Sequence, residues 1–259
     1  MSDGGRCYLE FKEFQAVISF LTIIPVSRTS SSIDINCVAS KMYLFPLVGA
    51  IIGIMVGVLA YIISFYLPPL ALGFIVVLIL VIITGLNHTD ALADFADGIM
   101  TSGGKELKHR AMDDPAVGSS GVVAVVLYIS GMIIILSSFT TSTKLIGSII
   151  TSEIIAKYVM VIQAYNGVSA WEGFSSPFTK AMKDKRKFVI ATGLTIPLIC
   201  FATGITGLVS LCLSMIIAMV IHYSSDKSFG GISGDVLGAS NEITRLSSLI
   251  VLLSFATGY

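Results

Sequence analysis

The sequence predicts an all-α polytopic membrane protein, with about seven transmembrane helices and an N-terminal amphipathic helix at the membrane interface. Charged residues make up 12% of the 259 residues, whereas a soluble domain carries about 25%. The mean hydropathy is +0.90, and several apolar runs approach the ~20 residues that cross a bilayer as a helix. No polar region is long enough to bury a core of its own, so we expect a single integral membrane domain over residues 1–259.

The apolar residues recur in a helical pattern from Tyr8 to Ile24, which predicts the amphipathic helix, although a short core helix would show the same pattern. The predicted spans follow in order: Met42–Leu67, Leu70–Leu86, Val122–Phe139, Leu145–Ala164, Phe188–Ala202, Leu208–Tyr223 and Ile243–Ala256. In the first span, Gly49, Gly53 and Gly57 recur at every fourth position. This spacing favours close approach of a second helix, although membrane helices also tolerate glycine without such a contact.

The distribution of Lys and Arg predicts the orientation in the membrane. If the N-terminus lies inside, Lys144 is the only cation of a polar segment on the outer side. Because cytoplasmic loops carry the excess of Lys and Arg, we expect a multi-pass protein of the cell membrane with its N-terminus and charged face in the cytoplasm. The 16 basic and 16 acidic residues balance, so the composition gives no argument for a nucleic-acid partner.

The densest group of carboxylates lies between two apolar runs, in the stretch from His88 to Gly121. It holds five of the 16 acidic residues: Asp90, Asp94, Asp97, Asp113 and Asp114. If the chain is helical from His88, the first three lie on one face, at i, i+4 and i+7. Like charges repel unless a cation lies between them, so we expect a hard divalent ion, Mg²⁺ or Mn²⁺. A charged cytoplasmic loop between two membrane helices is the plainer alternative.

Two further polar groups are candidates for substrate binding. Glu153 and Lys157 lie one helical turn apart in a predicted span, where they form either a structural ion pair or a polar wall of the site. Asp235, Asn241 and Glu242 belong to a second glycine-rich segment, which is either an ordinary re-entry loop or a binding segment. Segments 88–121, 153–187 and 224–242 together form the predicted catalytic face.

The stretch His88–Gly98, HTDALADFADG, resembles the signature of the cobalamin synthase family, the adenosylcobinamide-GDP ribazoletransferases. The sequence departs from that signature at Ala91, where Gly is usual. A second departure is Asp114-Pro115, where the family has Asp-Ser. Other segments resemble the family in the same order along the chain: Phe45–Gly49, Met112–Gly118 and Gly231–Ala239.

The resemblance implies an enzyme that joins adenosylcobinamide-GDP to α-ribazole or its 5′-phosphate, releases GMP and requires Mg²⁺. It implies that Asp90, Asp94 and Asp97 bind the metal and act in catalysis, with Asp113 or Asp114 completing the metal site. His88 or one of the carboxylates would accept the proton of the attacking hydroxyl. The implied partners are the two substrates and membrane lipids, and assembly into a homo-oligomer is left open.

Other classes of protein also fit an acidic cluster in a membrane protein. Asp94 and Asp97-Gly98 loosely resemble the start of the motif of CDP-alcohol membrane phosphotransferases, but the rest of that motif is absent. A cation- or proton-coupled transporter would hold its carboxylates near the middle of the bilayer. A non-catalytic scaffold for other corrinoid enzymes is the third alternative.

Overall fold

The computed structural model describes residues 3–24 and 34–257, with side chains from residue 12 to residue 256. The part of the chain that it describes contains no strand, and one isolated parallel bridge joins Ser169 to Ile232. The helices are α1 (Asp3–Leu21), α2 (Ile35–Ser40), α3 (Phe45–Ile63), α4 (Pro69–Thr84), α5 (Asn87–Met100), α6 (Lys105–Met112), α7 (Ser119–Ser137), α8 (Ser142–Asn166), α9 (Ser176–Met182), α10 (Lys185–Thr203), α11 (Ile205–Ser228) and α12 (Gly234–Thr257).

Six of these helices are long and apolar enough to cross a membrane by themselves: α3 with the short turn before it, α7, α8, α10, α11 and α12. The bent pair α4–α5 makes up to seven. The predicted all-α polytopic class is therefore confirmed. Connecting the spans in order brings the start of α3, the α5–α6 region and the loops before α9, α10 and α12 to one end of the bundle.

The last span is longer than the sequence predicted. Its predicted start was Ile243, but α12 begins at Gly234, so Asn241 and Glu242 lie inside a membrane helix and not in a re-entry loop. A hydropathy scale assigns each of these polar side chains the free-energy cost of an unpaired group in the membrane. In the folded chain they are hydrogen-bonded to other buried groups, which removes most of that cost.

Helix α8 is the central helix of the bundle. It packs against α3, α10, α11 and α12, and 18 of its 25 residues are buried. A Cβ on Gly49 would lie 2.5 Å from the Glu153 carbonyl oxygen, and one on Gly53 would lie 2.6 Å from Ile150 Cα. Gly57 continues the same line of contact, so the predicted role of the glycine spacing in close helix packing is confirmed.

Helices α4 and α5 meet at 95°. Gly85 between them has a φ of +71°, which glycine adopts without the strain that a side chain would add. Helix α5 therefore leaves the axis of the span and crosses the end of the bundle, where it packs on α7 and α12. We treat α4 as the membrane-spanning part and α5 as a helix at the membrane surface.

The C-terminal part of α1 is a core element. Val17 and Leu21 are fully buried, and the Ile23 amide donates to the Ile83 carbonyl at 2.9 Å. This contact fastens the end of α1 to the end of α4. The alternative of a core helix therefore holds for these last turns, and the position of α1 at a membrane interface stays a prediction.

The contact between α3 and α8 predicts the effect of Gly53→Ala. The added methyl group would meet the backbone of Ile150, so the two helices must separate, and overpacking of this kind costs about 1–3 kcal/mol. Gly193→Ala in α10 is the matched control, because nothing lies within 4 Å of its Cβ position. Replacing a helical glycine there gains about 0.5–1 kcal/mol. Thermal unfolding in detergent measures both, and equal midpoints would contradict the close contact.

Candidate functional site

A cleft of about 540 Å³ opens at the end of the bundle that α5 crosses. Polar residues form part of its lining: Ser19, Asn87, His88, Asp113, Ser175, Ser233 and Asp235. Aromatic residues form another part: Phe20, Phe45, Trp171, Phe174 and Phe178. The cleft therefore combines acidic and hydrogen-bonding groups with flat apolar rings.

Carboxylates from three separate segments surround Asp94. Its neighbours are Asp90 and Asp97 on the same helix, Asp113 after α6 and Asp235 at the start of α12. Burial, followed by repulsion from Asp90, Asp235, Asp97 and Asp113, raises the pKa of Asp94 to about 6. The segments that the sequence singled out thus come together, and their charges repel in a way that a bound cation would relieve.

Asp97 uses both of its carboxylate oxygens to hold another helix. Oδ2 accepts a hydrogen bond from the Gly118 amide at 2.7 Å, and Oδ1 accepts one from the Gly121 amide at 2.8 Å. These amides lie at the start of α7, where the unpaired N–H groups and the helix dipole favour a negative charge. The geometry assigns Asp97 to capping α7, and its predicted role in metal binding stays a prediction.

Asp113 and Asp114 point to different surroundings. Asp113 lines the cleft, and its Oδ2 lies 3.2 Å from His109 Nε2. The His109 ring in turn lies against Trp171, with the ring centroids 3.7 Å apart. Asp114 is exposed and accepts a hydrogen bond from the Ala116 amide at 2.9 Å, which closes a local turn. Of the two residues between which the sequence could not decide, the structure favours Asp113 as the one at the cleft.

His88 lines the cleft from the first turn of α5 and is only 9% exposed. Its Nδ1 is buried and has no hydrogen-bond partner in the described part of the chain. Ser19 Oγ, in the same lining, is also buried without such a partner among those residues. Leaving a buried polar atom unpaired costs about 1–3 kcal/mol, so each of these two atoms needs a bond from water or from a ligand.

The other predicted substrate-binding residues lie deeper in the bundle and pair with one another. Arg245 Nε donates to Glu153 Oε1 at 2.5 Å, and Arg245 Nη1 donates to Glu242 Oε2. Lys157 Nζ donates to Asn241 Oδ1 at 2.6 Å. All five side chains are at most 3% exposed, and none of them lines the cleft. The geometry favours the interpretation of a structural ion pair, and substrate binding by these residues stays a prediction without a contact in its support.

Sequence reasoning missed Arg245 and the aromatic part of the cleft. The spacing of Glu242 and Arg245, at i and i+3 in an apolar run, was an available signal for a buried ion pair. Phe174 and Phe178 follow each other at i and i+4, which was a weaker signal for rings on one surface.

The cleft and its surroundings carry carboxylates, which are the type of ligand that a hard cation prefers. Within residues 3–24 and 34–257, no three His, Cys, Asp or Glu side chains are arranged as a ready metal-binding group. Mg²⁺, however, is usually held by one or two carboxylates together with waters and substrate phosphates, and not by a closed protein cage. The carboxylates around Asp94 therefore fit an Mg²⁺ ion that is shared with a phosphate ligand.

The fold and the cleft define a polytopic membrane protein with a carboxylate-rich binding site at one end of its helix bundle. The family model described as cobalamin-5-phosphate synthase matches residues 13–253. The chain therefore belongs to the cobalamin-5-phosphate synthase family.

Curated relatives cover almost the whole chain. A protein of Methanocella arvoryzae named adenosylcobinamide-GDP ribazoletransferase is 32% identical over 253 residues, which are 92% of this chain and 94% of the relative. Proteins of the same name from Archaeoglobus fulgidus and Pyrococcus abyssi are 30% and 31% identical, over 93% and 91% of this chain and 96% and 95% of their own lengths. No solved structure matches the chain.

The capping role of Asp97 predicts a difference between two aspartates on the same helix. Asp97→Ala removes both hydrogen bonds to the start of α7 and should lower the free energy of unfolding by about 1–2 kcal/mol. Asp90→Asn removes an exposed charge that repels Asp94, and stability should stay the same or rise slightly. Chemical unfolding in detergent without divalent cations measures both. Equal losses in the two variants would count against the cap.

Proposed function

We propose that the protein is an adenosylcobinamide-GDP ribazoletransferase, a transferase of the last step of cobalamin synthesis. The observation that carries this proposal is the family match, which runs from residue 13 to residue 253 and includes every residue that lines the cleft. The relatives that bear this name match over more than nine-tenths of their own lengths, so the proposal concerns the whole protein.

In this reaction a ribose hydroxyl of α-ribazole, or of its 5′-phosphate, attacks the phosphorus next to the cobinamide side chain. A P–O bond to the ribazole forms and the P–O bond to the GMP moiety breaks. GMP leaves with the electron pair of the broken bond, and a group on the protein accepts the hydroxyl proton. The products are adenosylcobalamin, or its 5′-phosphate, and GMP.

An acidic cleft repels a diphosphate, because charges of the same sign oppose each other strongly at short range. We propose that Mg²⁺, for which Mn²⁺ can substitute, is the cofactor, and that Asp90, Asp94, Asp113 and Asp235 are the residues that hold it. When bound, the ion neutralises the diphosphate and stabilises the charge on the leaving phosphate. Asp97 supports these ligands indirectly, by fixing α7 to α5.

His88 and the carboxylates at the cleft are the candidates for accepting the hydroxyl proton. His88 Nδ1 is buried in the cleft lining without a partner in the described residues, but burial, followed by the nearby charges of Lys157 and Arg245, holds the pKa of the His88 imidazole well below its usual value and makes it a weak base. A ring nitrogen in that state is able to accept a hydrogen bond from a substrate hydroxyl. The contact of His109 with Asp113 and Trp171 restrains the carboxylate of Asp113 at the cleft.

The position of the acidic residues gives no support to the transporter alternative. Asp90 is exposed and Asp94 is partly buried, both on a helix that crosses the end of the bundle. The charged residues midway along the bundle, Glu153 and Arg245, are paired with each other.

The activity is tested by GMP release from adenosylcobinamide-GDP in the presence of α-ribazole. GMP should appear with Mg²⁺, disappear with EDTA and return when Mg²⁺ is added in excess. Asp94→Asn should slow the reaction by about 100-fold or more, because a metal ligand supports several kcal/mol of transition-state stabilisation. Glu106→Gln, which removes an exposed carboxylate of α6 outside the cleft, should leave the rate unchanged. Full activity in a folded Asp94→Asn protein would overturn the assignment.

We further propose that the cleft faces the cytoplasm. At the opposite end of the bundle Lys144 Nζ donates to the Ala256 carbonyl at 2.7 Å, near the end of α12. Among the described residues, the Lys and Arg residues of the polar loops lie almost entirely at the cleft end, as expected of a cytoplasmic face.

Cysteine labelling tests this orientation. In a protein whose four native cysteines are replaced by serine, Tyr66→Cys introduces a thiol at the end opposite the cleft, where Tyr66 is 81% exposed. Glu106→Cys introduces one at the cleft end. In intact cells a membrane-impermeant maleimide should label only the Tyr66→Cys protein, and both should react after permeabilisation. Labelling of only the Glu106→Cys protein in intact cells would reverse the orientation.

A further inference from the structure

Three phenylalanine rings form a continuous apolar surface in the cleft, which we call the aromatic wall. It consists of Phe20, Phe174 and Phe178, with ring centroids 5.9 Å, 5.6 Å and 5.7 Å apart. Phe20 and Phe174 are nearly parallel, with 19° between the ring planes. Phe174 nevertheless remains 53% exposed. Phe178 is only 1% exposed and packs against the other two rings, so the uncovered part of the aromatic wall consists of Phe174 and the half-buried Phe20. An uncovered pair of nearly parallel rings in a cleft is typical of a binding site for a flat ring.

The aromatic wall lies next to the acidic residues and is held in place. A Cβ on Gly234 would lie 3.1 Å from Phe174 Cδ1, so the ring covers the start of α12, where Asp235 follows. Ser175 Oγ donates to the Ile232 carbonyl at 3.0 Å, which fixes the segment after Phe174 to the loop before α12. Because this surface is already ordered, the binding of a ligand loses less conformational entropy.

Two unfilled hydrogen-bonding positions lie in the same cleft. One is Nδ1 of His88, whose side chain is nine-tenths buried, and the other is Ser19 Oγ. A ligand that fits this lining combines a flat apolar ring with hydroxyl groups. Those are the features of a nucleoside with an apolar base.

We propose that the aromatic wall binds the benzimidazole ring of the ribazole substrate, with its ribose directed towards His88 and the acidic residues. This inference rests on the proposed function and assigns one of its two substrates to a subsite. The dimethylbenzimidazole ring is flat and largely apolar, and the unphosphorylated form of the substrate, α-ribazole itself, carries no charge that the carboxylates would repel. Guanine, the other flat ring in the reaction, has donors and acceptors along its edges that need partners, and the phenylalanine rings offer none.

Fluorescence of Trp171 tests the proposal without turnover. Trp171 is the only tryptophan in the sequence and lines the same cleft. Titrating the full-length protein with α-ribazole, without corrinoid or divalent cation, should change its fluorescence to saturation. Phe174→Leu keeps an apolar side chain but removes the ring, and it should raise the Kd about fivefold or more. Phe201→Leu, at a ring that is 96% exposed on α10 outside the cleft, should leave the Kd unchanged.

A parallel titration with GMP separates the two substrates. Weaker binding of α-ribazole alone in Phe174→Leu supports the proposal, whereas an unchanged α-ribazole Kd, or a loss confined to GMP, overturns it. Should Phe174→Leu fail to fold, as judged by size-exclusion chromatography, the native protein still decides the question. An imidazole riboside, which lacks the fused ring, should then bind about fivefold or more weakly than α-ribazole, and equal affinity would overturn the proposal.

This experiment also separates the proposal from the proposed function. If the native protein releases GMP but Phe174→Leu leaves the Kd for α-ribazole unchanged, the proposed function stands and the proposed subsite is wrong. If Phe174→Leu weakens the binding of α-ribazole but the native protein releases no GMP, the proposed subsite stands and the proposed function is wrong.

Discussion

The charged side chains inside the bundle must be paired, and this requirement fixes helix α8 against helix α12. Glu153 and Lys157 lie one turn apart on α8, and their partners Arg245 and Asn241 lie one turn apart on α12. A slide of one helix along the other would break both contacts. Breaking a buried ion pair by removing one partner costs about 3–5 kcal/mol, so these contacts set the axial position of α12 within narrow limits.

The position of α12 in turn determines the shape of the cleft. One turn after Asp235, a Cβ on Gly238 would lie 2.5 Å from the Cβ of Ala91, so α12 and α5 touch at this point. Only one of these two facing positions carries a methyl group, which explains how the contact accommodates Ala91. The contact brings Asp235 to the carboxylates of α5. The paired residues at the centre of the bundle thus fix the position of α12 and, with it, the position of Asp235 at the acidic site.

Features that depend on neighbours in the sequence were predictable, and features that depend on distant segments were not. The spans, the glycine contact of α3 and the common end of the polar segments follow from hydropathy, spacing and chain connectivity. The helical register placed Asp94 and Asp97 on one face, but it gave no sign that Asp97 binds amides 21 and 24 residues further along the chain.

The same reasoning applies to α12 and to the aromatic wall. Hydropathy gave α12 too short a length because the partners of its polar residues lie on α8, more than 80 residues earlier in the chain. The rings of the aromatic wall come from the end of α1 and from the region of α9. Only the folded chain brings Phe20 to Phe174 and Phe178.

The acidic site gains a selective property from the fact that its carboxylates do not form a closed metal-binding group. Asp94 is surrounded by four other carboxylates, so a phosphate without a cation is repelled, whereas an uncharged nucleoside is not. A divalent ion that the protein holds with few ligands keeps coordination positions for phosphate oxygens. In the proposed function the cation would offset the repulsion between the carboxylates and the diphosphate, so each of the two would favour the binding of the other. In the proposed function the aromatic wall would act by apolar contact and would need no cation, so the two substrates would be bound in the same small cleft by different physical means.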